Sequence, residues 1–329
     1  MKIMFYFLRP FDELPFCEEF SKEFGIEYDH VFAYPTAENV ILAKGCDAVS
    51  TTPCDMGAEM LERFAELGVK YLCCRSIGYD HIDLKKAKEL GMKVSNASYP
   101  PQGVANYAVM LIMMCLRKIM PIMKRAEIQD FSLEGKMGHD ISRCTIGVIG
   151  TGRIGTTVIR SLSGFGCRIL AHDIFENEEA KQYAEYVSMD RLLAESDVIT
   201  LHTNITQQNS HLLNEEAFAK CKDGVIIVNT ARGGLIDTGA LIHALSSGKV
   251  DGAALDVLEN ENGLYYYNRQ GDIIANDEMA ILRSFPNVIL SPHTAFYTDD
   301  AIRFMVRSAF ESAYAFSKGT ETPHEIKLP

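Results

Sequence analysis

Hydrophobic positions along the chain fall into short runs separated by amphipathic segments, and this alternation occurs twice. In residues 1–98 five apolar runs are typical of strands, namely KIMFYFL, EYDHVF, DAVST, KYLCCRS and KVSNA. Between them, helical spacing predicts helices at ELPFCEEFSKEF, AEMLERFAEL and DLKKAKEL. Strands and helices in alternation predict a parallel sheet covered on both faces.

A long helix is predicted from residue 100 to about 125, opened by Pro100 and Pro101, and a second alternating series follows it. The strands of this series are TIGVIG, RILAHD, DVITLHT, GVIIVNT, GAALDV and NVILSP. The alternation then stops, and a final helix, DDAIRFMVRSAFESAYAF, closes the chain. The pattern predicts an α/β protein with two doubly wound parallel sheets. Residues 99–296 are expected to form one domain, and residues 1–98 with 297–329 the other.

The second series opens with a glycine motif, TIGVIGTGRIG. In the G-x-G-x-x-G spacing Gly150 permits a tight turn, Gly152 lets the backbone approach phosphate, and Gly155 lets the helix pack on the strand. The amides of Arg153 and Ile154 are then expected to open a helix toward a pyrophosphate. Alone the motif is weak, but its place between a strand and an amphipathic helix favours nucleotide binding over a simple tight turn.

An acidic residue ends the next strand. Asp173 lies eighteen residues after Gly155. A carboxylate there accepts hydrogen bonds from ribose hydroxyls and repels a 2′-phosphate. The following segment, IFENEEA, adds further acid and no arginine. The sequence therefore favours NAD over NADP.

Three polar residues that could carry out chemistry follow strands of the second series. Arg232 follows GVIIVNT, Glu261 lies in the segment after GAALDV, and His293 follows NVILSP. Ligands of open parallel sheets bind beyond the carboxyl ends of the strands. A histidine can protonate the alkoxide that hydride transfer to a ketone creates, and a paired glutamate favours the imidazolium. An arginine offers a two-pronged fit to a carboxylate.

Taken singly, each of these residues also fits a structural interpretation. His293 could be a satisfied histidine after a strand, Arg232 a surface ion pair and Glu261 a solvated charge. Their conjunction at three strand ends favours catalysis. Asp237 is interpreted as a helix N-cap, and the histidines without a matching partner are interpreted as structural: His172, His202 and His211.

Composition narrows the class of protein further. The chain has 329 residues, which favours two domains, and its net charge of -12 argues against nucleic acid or an anionic membrane as partner. The apolar run before Arg9 is too short for a signal peptide, and the ten-residue run YAVMLIMMCL is too short to span a bilayer. Nine scattered cysteines without a C-x-x-C motif suit a reducing compartment. A cytoplasmic protein without a metal site is expected.

Five segments together resemble the D-2-hydroxyacid dehydrogenases: RSIGYDHID, GTGRIG, NTARGGLID, GAALDVLENE and SPHTAFYTDDA. The resemblance runs in order over nearly the whole chain and is strongest to the D-lactate, aromatic D-lactate and vancomycin-resistance-type branches. It implies a Rossmann NAD-binding domain inserted in a flavodoxin-like catalytic domain. It also implies NAD-dependent reduction of a 2-keto acid to the (R)-alcohol, usually by a homodimer.

The same resemblance implies the site residues. The catalytic group would be Arg232, Glu261 and His293. The substrate would also meet the backbone at Ile77 and Gly78, and Tyr99 would line its site. The cofactor would contact Gly150, Gly152, Arg153, Ile154, Gly155, Asp173, Thr203, Asn204, Asn209, Thr230, Ala231, Asp256 and Val104, with Asp256 orienting the nicotinamide carboxamide.

Three functions remain open at this stage. Reduction of pyruvate to D-lactate is favoured. Reduction of a larger 2-keto acid, such as phenylpyruvate or 2-ketoisocaproate, is the first alternative. A non-catalytic NAD(H)-sensing protein on the same fold is the second. A dehydrogenase that makes the (S)-acid is disfavoured, because that family usually opens with its glycine motif.

Overall fold

The computed structural model describes residues 1–261 and 263–329, which form two compact units. Unit 1 comprises Met1–Pro100 with Tyr297–Pro329, and unit 2 comprises Pro101–Phe296. Each unit contains one sheet whose strands all run parallel, flanked by helices. The predicted α/β class with two parallel sheets is confirmed.

Unit 1 contains a five-stranded sheet in the order β2-β1-β3-β4-β5. This is the strand order of flavodoxin-like folds. The strands are β1 (Lys2–Tyr6), β2 (Glu27–Val31), β3 (Ala48–Thr51), β4 (Tyr71–Cys74) and β5 (Lys93–Ser95). The helices are α1 (Leu14–Phe24), α2 (Ala58–Glu66), α3 (Leu84–Glu89) and α11 (Asp299–Lys318).

The C-terminal helix α11 completes the core of unit 1. Val306, Phe310 and Ala313 follow helical spacing and are buried in one cluster with residues of β1 and α1. The ring of Phe310 lies 5.3 Å from that of Phe5 on β1. The last helix is therefore part of the unit that begins the chain.

Unit 2 contains a seven-stranded sheet in the order β12-β11-β10-β9-β6-β7-β8. Its strands are β6 (Thr145–Ile149), β7 (Arg168–His172), β8 (Glu185–Tyr186), β9 (Val198–Leu201), β10 (Val225–Asn229), β11 (Val250–Leu255) and β12 (Val288–Leu290). Its helices are α4 (Gln102–Leu116), α5 (Ile119–Glu127), α6 (Arg153–Ser163), α7 (Met189–Glu195), α8 (Glu215–Lys220), α9 (Thr238–Ser246) and α10 (Asp277–Ser284). The chain leaves β6 toward β7 and later returns to β9 on its other side, so β6 and β9 flank a topological switch point.

The single helix predicted from residue 100 to about 125 is wrong. Two helices, α4 and α5, meet there at an angle of 62°. Pro121 accounts for the break, because it has no N–H and its ring clashes with the carbonyl of Arg117, four residues earlier. Lys118 takes a left-handed conformation at the bend. Within the described residues no single helix is long and apolar enough to cross a bilayer, although α4 and α5 together pass that test.

Candidate active site

The glycine loop between β6 and α6 is shaped by close backbone contacts. Gly150 has φ +94°, and a Cβ atom there would lie 2.6 Å from the carbonyl of His202. A Cβ atom at Gly155 would lie 1.9 Å from the carbonyl oxygen of Gly150. At Gly152, by contrast, no described atom beyond its two chain neighbours lies within 4 Å of the Cβ position. Gly150 and Gly155 thus allow the backbone segments to pack closely, and Gly152 leaves an open approach to the N-terminus of α6.

Asp173 lies directly beside this loop. Its Oδ2 accepts hydrogen bonds from the Thr151 amide at 2.5 Å and the Thr151 hydroxyl at 3.2 Å. Its Oδ1 accepts one from the amide of Phe175 at 3.2 Å. The end of β7 therefore holds a half-buried carboxylate next to the loop, the arrangement that ribose hydroxyls require.

The strand ends on the other side of the switch point carry further predicted cofactor contacts. Thr203 and Asn204 follow β9 after the intervening His202. The side chain of Asn209 closes the loop after them, accepting from the Thr206 amide at 2.6 Å and donating to the Asn204 carbonyl at 2.7 Å. In this structure Asn209 thus shapes the loop.

His202, immediately before Thr203, is a structural histidine. Its Nε2 lies 2.9 Å from the hydroxyl of Thr200, and burial lowers its pKa to about 3. It is therefore neutral at physiological pH and supports Gly150 by its backbone. His172 is similarly occupied, with Nδ1 2.9 Å from the Val187 carbonyl. Both contacts agree with the structural interpretation of these histidines.

The residues around the switch point fit a dinucleotide. The hydroxyl of Thr230, after β10, is buried and has no partner among the described residues. A buried hydroxyl without a partner costs free energy unless a ligand or water satisfies it. Together with the open face at Gly152 and the carboxylate of Asp173, it matches a ligand rich in hydroxyl and phosphate groups. Val104 is buried on α4 and Ala231 is half-buried beside Thr230.

Arg232 lies in a turn that a buried asparagine organises. The Asn229 side chain accepts from the Ala231 amide at 2.9 Å and donates to the Arg232 carbonyl at 2.8 Å. The guanidinium of Arg232 donates from Nη1 to the Ala231 carbonyl at 2.8 Å. Because Asn229 is fully buried at the end of β10, the direction in which the chain leaves the sheet is closely determined.

Glu261 and His293 form a close pair. Glu261 Oε1 lies 2.6 Å from His293 Nδ1, and its Oε2 accepts from the Leu258 amide at 2.7 Å. The two side chains retain 20% and 24% exposure respectively. Since Nδ1 is engaged by the carboxylate, Nε2 is the nitrogen left to meet a ligand. His293 also has φ +53°, a left-handed conformation that is uncommon for a non-glycine residue.

Asp256 connects the segments that carry these two residues. It is fully buried at the end of β11. Its Oδ1 accepts from the Ser291 hydroxyl at 2.6 Å and the Thr294 amide at 2.9 Å, and its Oδ2 from the Ala295 amide at 2.8 Å. Its carbonyl accepts from the His293 amide at 2.8 Å. The loop that bears His293 is thus tied to the strand that leads to Glu261.

The remaining predicted substrate contacts lie in unit 1. Ile77 and Gly78 follow β4, where their carbonyls accept from Asn96 at 2.8 Å and from Ser76 at 2.6 Å. The preceding Arg75 is fully buried and donates to Glu13 at 2.9 Å. A buried ion pair therefore supports the base of this loop. Tyr99 is buried as well, with 8% exposure.

Sequence reasoning missed one contact near the site. His211 was expected to have no partner, but its Nε2 lies 2.7 Å from Glu259 Oε1. That expectation is wrong. The two residues are 48 positions apart, so no local pattern links them, although both follow strands that end at the same edge. Asp237 does cap α9, accepting from the Ala240 amide at 2.9 Å, as predicted.

A parallel sheet with a glycine loop at its switch point and an acid on the neighbouring strand defines unit 2 as a dinucleotide-binding domain. Residues 109–295 match the family model of the D-isomer specific 2-hydroxyacid dehydrogenase, NAD binding domain. The chain belongs to this family of NAD-dependent oxidoreductases, which act on 2-hydroxy acids.

Individual relatives match nearly the whole chain. An aromatic 2-oxoacid reductase of Clostridium sporogenes is 44% identical over 97% of this chain and 98% of its own length. The D-lactate dehydrogenase of Escherichia coli is 38% identical over 99% of this chain and all of its own. The NAD-complexed structure of the D-isomer specific 2-hydroxyacid dehydrogenase from Lactobacillus delbrueckii ssp. bulgaricus superposes with a TM-score of 0.84, at 31% identity, covering 99% of this chain and 100% of that chain.

Proposed function

We propose that the protein catalyses reversible hydride transfer between NADH and a 2-keto acid, with reduction of pyruvate to D-lactate as its principal reaction. The observation that carries this proposal is the 2.6 Å contact between Glu261 and His293. A histidine held by a carboxylate at one ring nitrogen presents the other as a proton donor or acceptor. Family membership supplies the reaction class.

The roles of the three candidate residues follow from their chemistry. NADH supplies the hydride when bound. His293 then gives its Nε2 proton to the oxygen of the reduced carbonyl, and in the reverse direction neutral Nε2 accepts the hydroxyl proton. Glu261 orients the ring and stabilises the imidazolium. Arg232 binds the substrate carboxylate through two N–H groups and polarises the neighbouring carbonyl.

The division of labour between the units is also proposed. Residues 99–296 would bind the cofactor, and residues 1–98 with 297–329 would contribute to substrate binding. The amides of Ile77 and Gly78 support this role, because neither donates a hydrogen bond to any described residue. Two free amides can bind a carboxylate. Tyr99 is assigned to the same site.

A larger 2-keto acid is the second candidate substrate. The observation in its favour is that the chain is 44% identical to an aromatic 2-oxoacid reductase and 38% identical to a D-lactate dehydrogenase. Such a substrate carries the same carboxylate and carbonyl, so the proposed roles of Arg232 and His293 are unchanged. Only the groups that contact its side chain would differ.

The experiment is a comparison of kcat/KM for pyruvate, phenylpyruvate and 2-ketoisocaproate, followed by loss of NADH absorbance. We expect the highest value with pyruvate and a product that is the (R)-hydroxy acid by chiral chromatography. A higher value with phenylpyruvate would replace pyruvate as the principal substrate. Absence of turnover with all three, in protein that binds NADH, would favour an NAD(H)-sensing function.

We also propose a homodimer. The segment after α5 exposes several large apolar side chains, each at least 76% exposed: Ile128, Phe131, Leu133 and Met137. An exposed apolar cluster of this kind is typical of a protein interface. Phe131→Asp with Leu133→Asp should yield a monomer by light scattering, whereas Ile273→Asp, at a residue 98% exposed elsewhere in unit 2, should leave the dimer intact. A wild-type monomer would contradict the proposal.

The proposed compartment is the cytoplasm. All nine cysteines are free thiols, and thiols persist in reducing compartments. Cell fractionation tests this assignment, and recovery of the protein outside the cytosolic fraction would contradict it.

A further inference from the structure

Glu259 makes more contacts than a solvated loop charge requires. Its Oε2 accepts from the Thr238 amide at 3.1 Å and the Thr238 hydroxyl at 2.8 Å. Its Oε1 lies 2.7 Å from His211 Nε2. One carboxylate, 22% exposed, therefore joins three segments: the loop between Asp256 and Glu261, the start of α9, and the loop after β9.

The loop that carries Glu259 also packs directly on the turn after Arg232. A Cβ atom at Gly233 would lie 2.0 Å from the carbonyl carbon of Leu258 and 2.4 Å from the amide nitrogen of Glu259. The backbones are thus in contact at the residue next to Arg232. Thr238, six positions after Arg232, is held by the Glu259 side chain. Both ends of the turn are attached to the loop that leads to Glu261.

His211 attaches the third segment to the same turn. Its amide donates to the Gly234 carbonyl at 2.8 Å, and Leu213 forms a bridge with Ile236. His211 has φ +53°, so its side chain leaves the backbone from a left-handed conformation. The charged groups that face its ring are Glu259, Asp237 with Oδ2 at 3.8 Å, and the more distant Glu278 on α10. Among the described residues, the charged groups that face the ring are all carboxylates, and Glu259 is the nearest of them.

We propose that Glu259 is a positioning residue: its carboxylate holds Arg232 in register with the Glu261–His293 pair, and His211 is its partner. The proposal rests on the proposed roles of Arg232 and His293. In the contacts that the structure shows, Glu259 touches neither the guanidinium of Arg232 nor the imidazole of His293. Its effect on the reaction passes through the backbone of residues 232–238. A displaced guanidinium weakens the hold on the substrate carboxylate more than it affects proton transfer.

The test uses steady-state kinetics of the full-length protein with Glu259→Ala and Glu259→Gln. We expect Glu259→Ala to lower kcat/KM for pyruvate roughly 10- to 100-fold, mainly through KM, as displacement of a binding group does. The dissociation constant for NADH should stay within about twofold, and the pH at which the rate falls should be unchanged, because the Glu261–His293 pair is intact. Glu259→Gln keeps an acceptor for Thr238 and should recover most of the loss.

A second route covers the case in which Glu259→Ala does not fold. Thr238→Val with His211→Asn keeps the carboxylate but removes two of its side-chain donors. Asparagine tolerates the left-handed conformation and is too short to reach Glu259. This double variant should raise KM for pyruvate by about threefold or more. The matched control is Glu215→Ala with His243→Gln, an exposed pair whose atoms lie 3.8 Å apart, and it should behave as wild type.

The results that would overturn the positioning role differ from the result that would overturn the proposed function. Wild-type kcat/KM in Glu259→Ala, while Arg232→Lys loses activity, would overturn the positioning role and leave the proposed function intact. An equal loss of NADH and pyruvate binding, unrelieved by glutamine, would also overturn it in favour of a purely structural role. If the wild-type protein turned over no 2-keto acid, the proposed function itself would fail.

Discussion

Glu261 and His293 face each other across the ends of two neighbouring strands, with carboxylate Oε1 2.6 Å from imidazole Nδ1. Asp256 begins the segment that leads to Glu261, and its buried carboxylate accepts hydrogen bonds from the loop that carries His293. The pair is therefore held both by its own contact and by the backbone beneath it. Such double support is what a proton donor of defined orientation requires.

The first prediction concerns proton transfer by this pair. Glu261→Gln keeps the shape of the side chain and removes its charge. Because the carboxylate holds Nδ1 and so fixes the direction of Nε2, kcat should fall on the order of 10²-fold for keto reduction and for hydroxy-acid oxidation alike. Binding of NADH should be retained.

Steady-state rates measured in both directions test this. Wild-type kcat in Glu261→Gln would show that Glu261 does not orient His293 for proton transfer. Full proton transfer in His293→Gln would refute the mechanism itself.

The second prediction concerns cofactor choice. Asp173 lies beside the glycine loop, where its charge would repel a 2′-phosphate. Asp173→Ala should therefore narrow the preference for NADH over NADPH, measured as the ratio of kcat/KM values. Asp190→Ala, at an exposed acid on α7, serves as control. An unchanged ratio in Asp173→Ala would show that another group discriminates between NADH and NADPH.

The third prediction concerns the substrate carboxylate. Arg232→Lys keeps the charge but loses the planar fork. Loss of a charged hydrogen-bonded pair in a desolvated site costs on the order of 2–5 kcal/mol, so kcat/KM for pyruvate should fall by well over tenfold. Binding of NADH, measured by fluorescence, should be retained. A wild-type kcat/KM in this variant would show that Arg232 does not bind the substrate carboxylate.

The fourth prediction concerns stability against pH. The hydrogen bond to Glu259, opposed in part by burial, raises the pKa of His211. The resulting stabilisation is fully present below the unfolded value of about 6.5 and is lost as pH rises through the higher folded value. The wild type should therefore have a higher free energy of unfolding than His211→Asn, and the difference should be larger at about pH 6 than at about pH 9.

Urea unfolding at the two pH values provides the measurement. His243→Gln is the control, since His243 is exposed and its nearest acid is 3.8 Å away. A difference between wild type and His211→Asn that does not vary with pH would show that the ion pair contributes nothing.

The fifth prediction concerns the glycine loop. A Cβ atom at Gly155 would lie 1.9 Å from the Gly150 carbonyl oxygen, so Gly155→Ala must push α6 away from the loop. Overpacking of this kind costs about 1–3 kcal/mol, and NADH affinity should fall with stability. Gly164→Ala, where the nearest atom is 3.8 Å away, should have little effect. Equal stability and equal NADH affinity in Gly155→Ala and Gly164→Ala would contradict the packing argument.

Much of the site could be predicted because it depends on local signals. Within the glycine motif, Gly150 has a positive φ that favours glycine, and Gly155 lies too close to the Gly150 carbonyl to carry a side chain. Asp173, Arg232 and His293 could be placed because each follows a buried strand, and the carboxyl ends of parallel strands share one edge. The same rule brought Glu261 to that edge, and its expected pairing with His293 is present at 2.6 Å.

Other features needed the tertiary structure. The helix break before Pro121 was readable from the proline but was missed, and α10 carries only a weak apolar pattern. Asp256 supports the His293 loop through contacts 35 to 39 positions away. The boundaries of the two units, after Pro100 and after Phe296, also depend on which core each segment joins.

The sequence by itself determined the two alternating series, the cofactor class and the edge at which the chemistry would lie, because periodicity and glycine spacing are local consequences of backbone geometry. The pairing of Glu261 with His293 was also expected, whereas only the tertiary structure decided that Glu259 meets His211. Glu259 and Glu261 lie on one short loop, yet the first contacts His211 and the second His293. That choice depends on sheet order and on the direction each loop takes from its strand, and contacts over such sequence separations leave no periodic trace in the chain.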